Sequence, residues 1–359
     1  VAKLGVAIIG LGMASLPHAR ALAALRDRIE VLHAFSPSPE RRATFAQAHG
    51  FPIAETIETI WNDPRVAAVL ILTPPNTHLD LVRSAAAAGK HILLEKPIEV
   101  STPRAERLVA LAEEAGIRVG IVLQNRFRPA ASALRELMQE GRLGPLIHAS
   151  ARTSYWRPQS YYDEPGRGSL ARDGGGVLLT QAIHNLDLML SLTGAPETVT
   201  GFATTSPVHQ MEGEDMAVAS LRFTNGALGS ISATTCAFPG QPDIIELIGE
   251  RGRAVLDGTV LTARFHDGTS LDVAGEDAGS GAGADPMGFS SQAHQALILD
   301  FVEAITSGRQ PAASGRDVLA VHALIDAILH SRGQAVRVRT GAPGGAPVAD
   351  YFEPPQASG

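Results

Sequence analysis

The sequence predicts a two-domain α/β protein, with an N-terminal doubly wound parallel sheet followed by an α+β domain on a large open, mostly antiparallel sheet. Three observations carry this expectation. The first third alternates short, wholly apolar runs with helical patterns, the grammar of βαβ units whose strands are covered on both faces. The first apolar run stops on a glycine turn, Gly10-Leu11-Gly12. After about Gln124 the pattern changes to long strand-like runs, two of which flank the hairpin signal Asn225-Gly226.

In order, strands are expected at Leu4 to Ile9, Ile29 to Phe35, Val66 to Leu72, His91 to Leu94 and Ile117 to Leu123. Helices are expected after the glycine turn through Leu25, then at Pro39 to His49, Thr77 to Ala88 and Pro103 to Ala115. The second domain opens with a helix from Pro129 to Glu140 that Gly141 ends. Strands follow at Leu146 to Tyr155, Asp215 to Phe223, Ala227 to Thr235 and within Ile244 to Val273, and amphipathic helices close the fold at Gln292–Thr306 and Arg316–His330. The domains are placed at 1–124 and 125–340. Gly275 to Gly288 reads as a mobile loop, and the Pro/Gly-rich tail 341–359 as disordered.

Composition narrows the function. With 359 residues, 45% of them hydrophobic, the chain can bury two cores. A formal charge of −7, without a dense basic run, argues against a nucleic-acid partner. The single cysteine, Cys236, permits no intrachain disulfide and no thiolate metal cluster. The first residues begin a strand at once and lack signal-peptide character, and no apolar run reaches the roughly 18 residues of a membrane span, so a cytoplasmic protein without a membrane partner is expected.

The glycine turn reads Gly10-Leu11-Gly12-Met13-Ala14-Ser15, or G-x-G-x-x-S, between a strand and a helix. Gly10 permits the tight turn, and Gly12 lets a pyrophosphate approach backbone N–H groups at a helix N-terminus. Met13 and Ala14 share that turn, and Ser15 replaces a third glycine with another small residue. This is the context of a dinucleotide-binding Rossmann domain, against the alternative of an ordinary βα turn. At the end of the second strand, where an acidic residue would grip the ribose of NAD, stands Ser36, with Ser38, Arg41 and Arg42 close behind. Hydroxyls and arginines would accept a 2′-phosphate, so NADP is favoured over NAD unless the arginines are simply solvated.

Two constellations carry chemistry. Thr73-Pro74-Pro75-Asn76-Thr77-His78 and Glu95-Lys96-Pro97 end neighbouring strands at the edge where open α/β sheets bind ligands. A lysine so placed suits proton transfer to a hydroxyl or carbonyl, because a bound cationic nicotinamide would lower its pKa. The run Gly174-Gly175-Gly176 leads into a helix on which Thr180, His184 and Asp187 fall at i, i+4 and i+7, with Gln181 beside them, as in a cavity lining. A structural core histidine is the rival reading of His184. His184 and Asp187 alone are too few ligands, so no metal is expected. Before this helix, Tyr155-Trp156-Arg157, Tyr161 and Arg172 supply aromatics and arginines of the kind that bind polar rings, with Arg157, Tyr161 and Arg172 the expected contacts.

Together the glycine turn, the TPPNTH loop, the EKP tripeptide, the GGG…H-x-x-D helix and the closing run Asp300 to Ile305 resemble the Gfo/Idh/MocA family, named for glucose–fructose oxidoreductase, inositol dehydrogenase and a rhizopine-catabolism protein. The resemblance covers nearly the whole chain. It implies a second domain whose open sheet is commonly buried in a homodimer or homotetramer. It implies Lys96 as the catalytic lysine and His184 as the second acid/base or substrate-orienting group. Glu95 and residues 73–78, including Thr73, Pro74, Asn76 and His78, would face the nicotinamide side of the cofactor. The implied reaction moves hydride between the nicotinamide and a secondary alcohol or ketone of a sugar, cyclitol or related diol. Members resembling inositol dehydrogenase carry an aspartate where this chain has Thr180, so a Lys–Asp–His relay is incomplete here. Two alternatives stay open: a glycosidase using bound NAD for transient oxidation, and a non-catalytic dinucleotide-sensing regulator.

Overall fold

Val6 to Ile9 is buried, as an apolar run inside a covered parallel sheet must be, and forms most of β1 (Leu4–Ile9). The chain continues through α1 (Ser15–Ala24), β2 (Ile29–Phe35), α2 (Pro39–His49), α3 (Glu58–Asn62), β3 (Ala68–Ile71), α4 (His78–Ala87), β4 (His91–Leu94), α5 (Thr102–Glu114) and β5 (Val119–Ile121). The strands pair in parallel in the order β2-β1-β3-β4-β5. The chain direction across the sheet reverses between β1 and β3, which opens a crevice at their C-terminal ends. Local chemistry sets the helix bounds. In α2, Ser38 caps the start by accepting from the Arg41 N–H at 3.2 Å, Pro39 opens the first turn, and Gly50 ends the helix in the left-handed region at φ 68°.

The computed structural model describes residues 3–275, 282–283 and 290–339, so the expected tail 341–359 and most of the expected loop at 275–288 lie outside the described residues. The chain divides into two units, 1–124 with 290–318 and 125–289 with 319–359.

The second unit runs α6 (Pro129–Gln139), β6 (Leu146–Trp156), α7 (Gln159–Tyr162), α8 (Leu170–Asp173), a π-helical turn (Leu178–Ala182), α9 (Ile183–Thr193), and then β7 (Thr198–Thr204), β8 (Met216–Arg222), β9 (Leu228–Thr234), β10 (Cys236–Gly249), β11 (Gly252–Asp257), β12 (Val260–Phe265) and β13 (Ser270–Val273). With the later β14 (Val336–Arg337) these strands make, among the described residues, a nine-stranded sheet in the order β13-β12-β11-β10-β6-β9-β8-β7-β14. Every pairing is antiparallel except β6 with β9. Alternation gives the sheet two faces. Along β8, Ala217, Ala219 and Leu221 turn inward while Met216, Val218 and Ser220 are exposed.

Two helices precede β14, α10 (Gln292–Ser307) and α11 (Gly315–Ser331). The sequence reading gave α10 to the second domain; it belongs instead to the first unit, where it packs on α1 and β4. Linear order could not reveal this return. No helix among the described residues is long and apolar enough to cross a membrane.

Candidate functional site

At the end of β1, Gly10 adopts φ +102°, and a Cβ there would lie 2.7 Å from the Leu72 carbonyl carbon. Its N–H donates to Phe35 O at 2.9 Å. Glycine therefore lets the ends of β1, β2 and β3 close together. Gly12 is the opposite case, since a Cβ there would meet nothing within 4 Å. Its backbone faces open space beside the N-terminus of α1, whose first turn holds no acidic residue. Ser15 is buried and donates its hydroxyl to Gly12 O at 2.7 Å, so the serine in place of a third glycine also pins the turn. Met13 is 45% exposed and Ala14 half-buried on the same rim. This cradle fits a dinucleotide pyrophosphate.

The end of β2 differs from the sequence reading. Ser36 is buried, and Ser38 is committed to the α2 cap. Arg42 donates to Ser36 O at 2.8 Å and pairs with Glu55 at 3.0 Å, so it is held as a local brace. Only Arg41 of the two arginines is exposed.

Two loops follow β3 and β4. Thr73 and Thr77 share a hydroxyl hydrogen bond of 2.7 Å, while Pro74 and Asn76 are exposed. His78 was expected to face the cofactor. It is fully buried, with Nε2 2.9 Å from Thr73 O and Nδ1 3.0 Å from Ile98 O. It ties the two loops together and cannot present its ring to a ligand. Burial lowers its pKa, against the opposing pull of the two carbonyls and of Glu99 and Glu95. Lys96 is half-buried and followed by a cis bond to Pro97. Glu95 accepts from the Lys96 N–H at 3.1 Å and pairs with the buried His18 at 3.0 Å. His18 in turn stands edge-on to His294, with ring centroids 5.0 Å apart. Burial opposes ionisation of Glu95, yet the hydrogen bond from His18 and the charges of His18, Lys96 and His294 hold its carboxyl below the ordinary value. His18 and His294 escaped the sequence reading, because their only signal is proximity to a glutamate far away in the chain.

In the second unit, the expected polar face is rearranged by the π-helical turn. A π turn adds a residue to one turn, so positions computed on an α period rotate apart. Thr180 donates its hydroxyl to Gly176 O at 2.7 Å, and His184 is half-buried. Asp187 instead forms a buried bidentate pair with Arg126, with two contacts of 2.6 Å. Glu214 caps the entry by accepting from the Gly176 and Leu178 N–H groups at 3.0 and 2.9 Å. Burial raises its pKa although these hydrogen bonds oppose that.

Arg157, expected at the substrate, is 2% exposed. It donates to Trp156 O at 3.0 Å, Ala282 O at 3.2 Å and Gly283 O, and to Gln181 Oε1 at 3.0 Å. Its planar fork organises the loop. Gln181 passes the chain on to the Tyr161 hydroxyl at 3.0 Å, which also accepts from Arg167 at 2.8 Å. Arg167, which the sequence reading left out of the expected contacts, stacks on the half-buried Tyr161 ring at 4.3 Å. Arg172 donates to Pro165 O at 3.2 Å and lies 3.7 Å from Glu164. The structure thus joins Arg157, Gln181, Tyr161 and Arg167 in one network, which reaches Arg172 through Glu164, since Arg167 donates to Glu164 at 2.8 Å and Arg172 lies 3.7 Å from it.

Comparison with known proteins agrees with this architecture. Residues 4–122 match the oxidoreductase family with an NAD-binding Rossmann fold, and residues 131–255 match the GFO/IDH/MocA C-terminal domain. The chain is 29% identical to a myo-inositol 2-dehydrogenase of Thermotoga maritima over 330 residues, covering 87% of this chain and 91% of that protein. The WlbA dehydrogenase from Bordetella pertussis, solved with NADH and UDP-GlcNAcA, is 26% identical with a TM-score of 0.80, covering 94% of this chain and 99% of that one. A levoglucosan dehydrogenase, solved with NADH and levoglucosan, is 25% identical with a TM-score of 0.83, covering 94% and 100%.

Proposed function

This chain belongs to the GFO/IDH/MocA family of NAD(P)-dependent oxidoreductases, and from that premise we propose that it interconverts a secondary alcohol and a ketone on a sugar, cyclitol or related cyclic diol. The bound nicotinamide supplies the hydride acceptor or donor. Gly10, Gly12, Met13 and Ala14 hold the pyrophosphate, and Thr73, Pro74, Asn76, Glu95 and Lys96 form the nicotinamide side. Lys96 takes or returns the hydroxyl proton, and Glu95, anionic beside it, holds positive charge there. His184 orients the substrate, with Thr180, Gln181, Tyr161 and Arg172 as further substrate-side groups. Thr180 cannot exchange a carboxyl proton, so proton transfer rests on Lys96 without an aspartate relay.

The observation that carries this reading is the open cradle at Gly12 and a half-buried Glu95–Lys96 pair at the same C-terminal edge of the parallel sheet. For the cofactor, the absence of a carboxylate at Ser36 and the exposed Arg41 support NADP over NAD. The outward Phe202, Val218 and Leu228 of the open sheet, 65%, 47% and 56% exposed, support a homodimer or homotetramer formed through that face.

A panel of cyclitols and sugars, assayed with NAD+ and with NADP+ by nicotinamide absorbance, tests the proposal. Net cofactor reduction with a polyol supports it. Glycoside cleavage without net reduction, or tight dinucleotide binding with no reaction across the panel, sinks it.

A further inference from the structure

Away from the residues assigned above, the second unit gathers three side chains of metal-ligating type from three places in the chain. His209 lies in the segment between β7 and β8, Asp215 just before β8, and Cys236 at the start of β10. Their ligand atoms all fall within 4.8 Å of one another. Nδ1 of His209 is 2.9 Å from Oδ2 of Asp215, Sγ of Cys236 is 3.2 Å from the same oxygen, and Sγ and Nδ1 are 3.7 Å apart. Three ligands around a tetrahedral ion at zinc-like bond lengths stand roughly 3.3–3.6 Å apart, so shifts of a few tenths of an ångström would seat one.

The histidine supplies an independent pointer. Its Nε2 lies 2.8 Å from the Arg157 carbonyl oxygen, which can only accept, so Nε2 carries the proton. Nδ1 then faces the Asp215 carboxylate oxygen across 2.9 Å, a position at which a bound cation can stand in place of a proton. A cation between them satisfies both, and a backbone carbonyl holding the far N–H is the usual outer partner of a metal-bound histidine. His209 and Asp215 have fully buried side chains, while Cys236 is half-buried and gives access. Ser206 borders the cluster, its hydroxyl donating to Asp215 Oδ2 at 2.7 Å and lying 3.3 Å from Cys236 Sγ.

We propose that His209, Asp215 and Cys236 bind one divalent ion of the zinc type, fastening the 205–215 segment to the start of β10 and, through Arg157, to the loop that carries Tyr161. Binding replaces the thiol proton of Cys236, which leaves to solvent, with a sulfur–metal bond. The sequence pattern points to no metal because His184 and Asp187 alone are too few ligands, and Cys236 stands 27 and 21 residues from His209 and Asp215.

Because Cys236 is the sole cysteine, a thiolate-to-cobalt band identifies the site without any variant. The full chain, stripped with chelator, is titrated with cobalt(II) and then zinc(II). One equivalent of cobalt should give a near-ultraviolet charge-transfer band that zinc abolishes, and zinc should raise the unfolding midpoint. Cys236→Ser and His209→Gln, checked for folding by circular dichroism, should each weaken zinc by more than roughly 100-fold, since even outer partners of a ligand are worth about 10–100-fold. No thiolate band on the wild-type protein, or zinc binding equally tight in both variants, overturns the proposal and leaves a hydrogen-bonded cluster only.

Discussion

Asp187→Ala removes one half of a buried ion pair and leaves the Arg126 guanidinium, 10% exposed, without its carboxylate. Both contacts are 2.6 Å and bidentate, so two charge-assisted hydrogen bonds disappear together. Breaking such a pair from one side costs about 3–5 kcal/mol, because the remaining charge stays buried. The assay is urea unfolding of a Trp61→Phe protein, in which the other tryptophan, Trp156, reports on the second unit. For a slope of about 2–3 kcal/mol per molar, the midpoint should fall by roughly 1–2.5 M. Replacing both partners, Arg126→Met with Asp187→Leu, should recover stability to within about 1 kcal/mol of the parent or exceed it. A loss below about 1 kcal/mol in the single variant would refute the buried-pair reasoning. Lost turnover at unchanged stability would return Asp187 to the substrate face on which helical spacing first placed it.

The other expectations concern the first unit. Gly10→Ala should destabilise it by about 1–3 kcal/mol from the positive φ alone, and more from the clash with Leu72. Gly12→Ala should leave stability within about 1 kcal/mol while weakening dinucleotide binding, seen by nicotinamide fluorescence; equal effects of the two would contradict the cradle. Arg41→Ala should lower affinity for NADPH roughly tenfold and leave NADH unchanged, whereas Arg42→Ala should act on stability; clearly tighter NAD binding by the parent protein would refute the argument from Ser36. Because the folded-state pKa of Glu95 lies below its unfolded value, its stabilisation is present above the ordinary glutamate range and lost as pH falls through the lowered value. Glu95→Gln should therefore flatten the acid limb of a stability–pH curve read from Trp61 in a Trp156→Phe background; an unchanged limb would contradict the assignment.

Much of the fold is legible in local pattern. Strands such as Leu4–Ile9 and His91–Leu94 fall where short apolar runs put them, Ile29–Phe35 follows an apolar pattern broken by Glu30 and His33, and α2 begins and ends on its Ser-Pro and glycine signals. The glycine turn and the Glu95–Lys96 pair are equally local, so they could be read from the sequence. What was hidden depends on distance. His18 meets Glu95 across 77 residues, and Arg126 meets Asp187 across 61. Composition cannot register such partners. The π turn was invisible for another reason: Leu-Leu-Thr-Gln-Ala has an unremarkable helical pattern, and the Glu214 carboxylate that caps its entry lies 36 residues away in the chain. The burial of Arg157 and His78 was equally illegible, because a residue type suited to ligands is equally suited to tying loops.

The central claim is that Lys96 carries the proton in a nicotinamide-dependent alcohol oxidation. It is tested most directly by Lys96→Met, assayed for turnover with the best polyol of the panel and, in parallel, for dinucleotide affinity by fluorescence. The expected result is a fall in kcat of about 10²–10⁴-fold with the dinucleotide Kd changed by less than roughly tenfold. Turnover equal to that of the parent enzyme would contradict it.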